Sequence, residues 1–234
     1  MRLIATLLLT LSAPVMAASG HAPLAEAKVN LTDQNTLQRG ARVFVNYCLS
    51  CHSASFMRYS RAAEDIGLPA GVLEANLLFA ADKPSEMMQA AMRPADAAQW
   101  FGVAPPDLSV IARAKGPDYL FTFLTSYYVD PQRATGVNNL AYPATAMPHV
   151  LWELQGMQRL VSDHGHQSLE VTRAGELAPE EYQQLVNDLV SFMVYMAEPA
   201  RLDRQRIGFW VLGFLVFFTW LAYLLKKEFW RDIH

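Results

Sequence analysis

Apolar positions along the chain change their spacing from stretch to stretch, and the spacing predicts the elements. From Asp33 the pattern is helical, with Leu37, Ala41, Phe44, Val45 and Cys48 along one face. Gly40 falls inside this helix, where it costs about 1 kcal/mol relative to alanine. It is read either as a tolerated glycine or as a place where another helix crosses too closely for a Cβ. Residues 59–101 read as short helices divided by Pro69, Pro84 and Pro94, with Pro84 and Pro94 suited to first-turn positions. Met87, Met88 and Met92 recur there at helical spacing, as core packing. Ala104-Pro105-Pro106-Asp107-Leu108-Ser109 is a rigid loop, with Asp107 placed to cap the next helix. Arg113 lies on that helix and Tyr119 on the following apolar stretch.

From Tyr127 to Pro148 no period survives, because Pro131, Gly136, Asn138-Asn139 and Pro143 interrupt it. A loop of this length inside a compact domain usually has a functional reason, and this one ends in Ala146-Met147-Pro148. Residues 160–162 and 169–172 are expected to pair as a small hairpin across Asp163–Gly165. Pro179, Glu180 and Glu181 open a last helix before the final apolar run, the acids favouring its positive end. Its face is Leu185, Leu189, Phe192, Met193 and Met196, and Glu198-Pro199 ends it.

Two apolar runs account for a hydrophobic content of 52%. Residues 1–17 have a basic start, an apolar Leu3 to Leu11 and small residues at Val15-Met16-Ala17, the pattern of a secretory signal. Residues 207–225 contain no charge, and as a helix they extend roughly 28 Å, the thickness of a bilayer's hydrocarbon core. The expected organisation is therefore a signal (1–17), an exported domain (18–200), a charged linker (201–206), a transmembrane anchor (207–225) and a tail (226–234). Basic residues flank the anchor equally, Arg201, Arg204 and Arg206 before it and Lys226, Lys227 and Arg231 after it. Orientation thus rests on the signal: the domain lies outside the bacterial inner membrane, in the periplasm, and the C-terminus is cytoplasmic.

The formal charge of the whole chain is −3, but residues 18–200 carry 12 Lys and Arg against 19 Asp and Glu, a net −7. An acidic exported domain repels nucleic acid and attracts basic partners in a salt-dependent way.

The chemistry is concentrated in Cys48-Leu49-Ser50-Cys51-His52, the attachment signature of a c-type haem. Residues three and four apart share a helical face, so both thiols and the imidazole converge on one side. A structural zinc site wants a second ligand pair, and with 2 cysteines in all none is left for a structural disulfide. Each thiol can join one haem vinyl group while His52 reaches the iron. The sixth iron position decides the function. Left open it admits small molecules, whereas a thioether keeps one coordination state and raises the potential relative to bis-histidine ligation. Met147 is favoured, because a proline-stiffened loop delivers it. His149, His164 and His166 compete, His149 from the same loop.

These residues resemble the cytochrome c1 family, the haem subunits of the cytochrome bc1 complex (quinol–cytochrome c reductase). The resemblance runs through Leu37-Gln38-Arg39-Gly40, Cys48 to His52 with Ser53, Pro105 to Ser109, Asp118-Tyr119, Ala146-Met147-Pro148 and Ala197-Glu198-Pro199. It implies a mostly α cytochrome c fold on one C-terminal transmembrane helix. It also implies one covalent haem c on Cys48 and Cys51, with His52 and Met147 as axial ligands. Arg113 and Tyr119 are implied near a haem propionate, while Pro105 and Pro106 wall the haem and their carbonyls orient the His52 N–H. The implied role is one-electron relay from a Rieske iron–sulfur subunit to a c-type cytochrome, beside cytochrome b, in membrane lipid, with no nucleic acid. Two departures stand out: His149 occupies a place where relatives often carry proline, and no second cysteine pair exists. The rival readings are a terminal-oxidase haem subunit, a free membrane-anchored cytochrome, and an anchored haem peroxidase or gas sensor.

Overall fold

The computed structural model describes residues 23–163 and 166–233. The expected signal, residues 1–17, lies outside the described residues, as do His164 and Gly165 of the hairpin turn. Asp33 opens α1 (Gln34–Val43) by accepting the Asn35 amide at 3.0 Å and the Thr36 hydroxyl at 2.9 Å. The Thr36 hydrogen bond is the main reason its carboxyl lies below the usual range.

α1 packs on α8 (Pro179–Ala197), which the sequence placed at the same start. Glu181 reaches back from the first turn of α8 to accept the Ala178 amide at 3.0 Å. Its expected face is realised, with Leu189, Phe192, Met193 and Met196 buried beside Val186 and Val190, and Leu185 half-buried. A Cβ on Gly40 would stand 2.1 Å from the Asp188 carbonyl oxygen and 2.7 Å from Phe192 Cβ. Of the two readings of Gly40, the close crossing is therefore the one that holds. Beside the crossing Arg39 forks onto buried Asp188, Nε to Oδ2 at 2.5 Å and Nη2 to Oδ1 at 3.2 Å, a strong bidentate geometry.

The extended lead before α1 makes no ladder, and side chains satisfy its amides instead. Ala25 and Ala27 donate to Thr122 Oγ1 and Asp118 Oδ1, both at 2.8 Å; Lys28 and Asn30 donate to Asn187 Oδ1 and Ser191 Oγ at 2.8 and 3.1 Å. The lead thereby straps α6 (Pro117–Thr125) to α8.

The middle of the chain departs from the all-helical expectation. β1 (Ala54–Arg58) pairs antiparallel with β2 (Met87–Met88), beside the short helices α2 (Tyr59–Asp65), α3 (Ala70–Asn76) and α4 (Pro94–Phe101). Pro94 is the first residue of α4, and Pro69 immediately precedes α3. Pro84 starts no helix; its carbonyl accepts the Ser60 amide at 2.7 Å. Met88 is buried core, as expected, but from a strand. Backbone pairing to β1 overrides the helical spacing here.

Further on, α5 (Ile111–Lys115) leads into α6, and β3 (Tyr127–Val129) pairs antiparallel with β4 (Val137–Asn139) inside the stretch expected to be irregular throughout. After α7 (Trp152–Gln155), β5 (Gly156–Asp163) and β6 (His166–Ala174) form the expected hairpin, longer than its apolar residues suggested. α9 (Arg201–Phe229) is the one described helix long and apolar enough to cross a membrane. It takes in residues 201–206, so the expected linker is helical. Its 29 residues extend about 44 Å, and Phe209 and Trp210 are 79% and 80% exposed, a surface that lipid or protein must cover.

Candidate functional site

α1 does not stop at Val43. It widens into a π-helical turn over Phe44–Cys48, where Leu49 N reaches Phe44 O at 3.0 Å, a device that recurs at functional sites. Buried Phe44 packs on Phe192 of α8, ring centroids 5.7 Å apart, so the α1–α8 crossing fixes where the next residues begin. Cys51 N and His52 N then both bond to Cys48 O, at 3.1 and 2.9 Å. One tight helical turn therefore carries both thiols and the imidazole.

The His52 ring is held from behind. Its Nδ1 lies 2.8 Å from the Pro106 carbonyl oxygen, and a carbonyl only accepts, so Nδ1 carries the proton and Nε2 keeps its lone pair. Burial lowers the His52 pKa, against the Pro106 hydrogen bond and the Asp107 charge, which keeps the imidazole neutral. Burial also pushes the Cys48 thiol up to about 12, while Cys51 is half-buried.

The Pro105–Ser109 loop is pinned to the segment after His52. Leu108 N donates to Ser53 O at 2.8 Å, Ser55 N to Asp107 Oδ2 at 2.9 Å, and Phe56 N to Ser109 Oγ at 3.1 Å. Asp107 Oδ1 accepts the Ser109 amide at 2.8 Å. The expected capping role of Asp107 is thus corrected: α5 begins only at Ile111, behind its N-cap Val110, and Asp107 spends its oxygens on this loop. Burial raises its carboxyl, but the Ser109 and Ser55 hydrogen bonds outweigh that and leave it low.

Met147 is half-buried on a loop built by other residues. Fully buried Asn139 accepts Ala141 N at 2.9 Å and Tyr142 N at 3.1 Å, and donates to Phe123 O at 2.7 Å. Asn138 Oδ1 accepts Ala144 N at 2.8 Å, and Arg133 donates to Ala144 O at 3.0 Å. Between them Ala144 is held at φ 63°, a left-handed conformation that alanine adopts at a cost. Thr145 Oγ1 accepts the Met147 amide at 3.2 Å, and Tyr127 Oη donates to the Met147 carbonyl at 3.3 Å. His149 is buried, its ring stacked on Tyr127 at 4.8 Å with 1° between planes. Burial lowers its pKa to about 4, against nearby Gly156 and Gln155. Its Nε2 has no hydrogen-bond partner.

Tyr119 is half-buried and stacks on Phe123 at 6.2 Å, and Phe123 meets Tyr127 edge-on at 5.4 Å. A ladder of rings on α6 and β3 thus joins the expected propionate tyrosine to the Met147 loop. Arg113 is exposed on α5. At Glu198 the Arg204 hydrogen bond is the largest cause of a lowered carboxyl, and the Arg113 and Arg201 charges add to it. The geometry joins Cys48, Cys51, His52 and Pro106 in one cluster, and Tyr119, Tyr127, Met147 and His149 in another. Tyr127, Asn139 and Thr145 were not singled out from the sequence. An asparagine pair in a proline-broken loop was the available signal, read there only as a period breaker.

The donor set fits a c-type haem: two free thiols and an imidazole on one turn, the imidazole already oriented with Nε2 unprotonated. A family model, the Cytochrome C1 family, matches residues 25–233. Among similar curated proteins, a "Cytochrome c1" of Allochromatium vinosum is 44% identical, covering 99% of this chain and 98% of its own. An "Ammonia monooxygenase gamma subunit" of Nitrosomonas europaea is 48% identical with full coverage of both chains. A "Cytochrome c1" of Blastochloris viridis is 28% identical over 95% of this chain and 91% of its own.

Proposed function

The chain belongs to the cytochrome c1 family, and on that premise we propose that it relays single electrons from a Rieske iron–sulfur subunit to a c-type cytochrome. Members of the family carry a covalently attached c-type haem and serve as the haem subunit of the cytochrome bc1 complex. Cys48 and Cys51 would hold the haem through thioethers, and His52 and Met147 would be its iron ligands. When bound, the haem supplies a one-electron iron couple. The residues do the rest. The Pro106 carbonyl fixes the His52 ring and raises its basicity. The Met147 thioether would ligate the iron and favour its ferrous state. Arg113 and Tyr119 would pair with a propionate, and Pro105 and Pro106 would wall the haem. Quinol oxidation belongs to partner subunits of quinol–cytochrome c reductase, cytochrome b among them. The membrane anchor is α9, with the haem domain on the periplasmic side and the C-terminus in the cytoplasm.

The observation that carries this reading is the His52 Nδ1–Pro106 O bond at 2.8 Å behind two free thiols. The gamma-subunit name belongs to the Nitrosomonas relative, and no observation on this chain favours carrying it over. Subunit analysis of the detergent-solubilised native complex tests the proposal. Cytochrome b and a Rieske protein should copurify, and quinol should reduce the haem of this chain. Recovery of the chain alone, or with oxidase subunits, would overturn the assignment. So would rapid carbon monoxide binding to the reduced native protein, which a closed sixth position forbids.

A further inference from the structure

We propose that Tyr127 is the positioning residue for the distal iron ligand, holding the Met147 segment in its closed position through its hydroxyl and its ring. The proposal rests on the reading of Met147 as sixth ligand.

The Tyr127 side chain is almost wholly buried, and a buried phenol needs a hydrogen-bond partner. Its partner is the carbonyl of Met147 itself, at 3.3 Å. The same ring lies flat against His149, two residues further on, at 4.8 Å and 1°. One side chain therefore touches the loop on both sides of Pro148, by hydrogen bond before it and by stacking after it. Tyr127 is itself firmly placed. It begins β3 and pairs with Asn139, Phe123 packs edge-on against its ring, and Gln158 donates to its carbonyl at 2.9 Å. The Met147 amide is fixed separately by Thr145 Oγ1 at 3.2 Å. Both peptide groups of the methionine are thus engaged from outside, which spares the thioether any need to hold its own backbone in place.

A displaced loop exposes the iron, so carbon monoxide uptake by the reduced, haem-loaded full chain reads how often the loop opens. Tyr127→Phe removes the hydroxyl and keeps the stack. It should speed carbon monoxide uptake about fivefold, the population change expected for one net hydrogen bond, and keep the far-red sulfur–iron band of the oxidised protein. Tyr127→Leu removes both contacts and should approach Met147→Leu, with the band lost and the potential lowered. Thr145→Val should fall between the wild type and Tyr127→Leu. If both Tyr127 variants take up carbon monoxide at the wild-type rate, whether or not their thermal midpoint falls, the positioning role is wrong. If Met147→Leu itself keeps the band and still excludes carbon monoxide, the ligand reading fails first, and the two failures are told apart.

Discussion

The two clusters proposed to flank the haem are built in opposite ways. The His52 face is local: three side chains on one turn, set by the spacing of five consecutive residues and backed by one carbonyl from the Pro105–Ser109 loop. The Met147 face is assembled from distant parts: Phe123 on α6, Tyr127 on β3, Asn139 on β4, and Arg133 and Asn138 around a strained Ala144. A motif read by spacing tolerates little change within itself and much around it. A loop held by many weak contacts yields gradually. The local face should therefore fail all at once, and the assembled face in steps.

The largest effect tests the local face. Cys48→Ser with Cys51→Ser leaves no thiol in the chain, so no haem should survive a denaturing gel, while either single change should leave one thioether. Haem that stays with the double variant would end the attachment model and the contrast with it.

Next comes the crossing that places the local face. Gly40→Ala places a methyl 2.1 Å from the Asp188 carbonyl oxygen, backbone that cannot swing aside. Overpacking of this kind costs about 3 kcal/mol, and the crossing that places Phe44 and the π-helical turn should widen. The measurement is the denaturation midpoint of the haem-loaded protein. A shift no larger than that of a surface alanine would show that the crossing is softer than its geometry implies.

How much of this was legible depended on the range of the interactions. The haem motif, α1, α8 and the apolar α9 were read from spacing, because each is set by neighbours three to seven residues away, whereas the two readings of Gly40 were separated only by Asp188 and Phe192, far along the chain. The capping role for Asp107 was misread. Its rule assumes a helix directly after the loop, whereas Ser55, far back in the chain, competes for the same carboxylate. Met87 and Met88 fit a helical period yet form a strand, since β1 offers them backbone partners that no local pattern reveals. Tyr127 and Asn139 escaped notice for the same reason: their partners lie 20 and 16 residues away, and composition marks them only as an aromatic and a turn former.

A third change probes the assembled face. Asn139→Ala leaves the Ala141 and Tyr142 amides and the Phe123 carbonyl without their partner in a fully buried place. Buried groups left unpaired cost about 2 kcal/mol here. The expected result is a loosened Met147 loop: faster carbon monoxide uptake in the reduced protein and an unchanged covalent haem. Asp107→Ala supplies the mirror image, because it frees Ser55 N and Ser109 N. Its carboxyl is lowered in the fold, so the stability it adds is present above the ordinary carboxylate range and is lost as pH falls through the lowered value. Asp107→Ala should therefore flatten the acid limb of a stability profile, and Asn139→Ala should not. Identical pH profiles for the two would erase the distinction between the faces.

The smallest effect marks where the assembled face ends. The β5–β6 hairpin is hydrogen-bonded to it through Gln158, whose side chain donates to Thr125 O at 3.1 Å and Tyr127 O at 2.9 Å. The adjacent residue, Arg159, faces its cross-strand partner Glu170 at 2.7 Å, with both side chains more than half exposed. An exposed pair of this sort contributes under about 0.5 kcal/mol, so Glu170→Ala should move the thermal midpoint by about 1–2 °C and leave carbon monoxide uptake unchanged. Gln158→Leu, one residue along the strand, should speed that uptake by loosening the start of β3 beneath Tyr127. If Glu170→Ala opens the iron as Gln158→Leu does, the hairpin acts as one lever on the Met147 loop, and the boundary belongs at the hairpin's tip instead of its base.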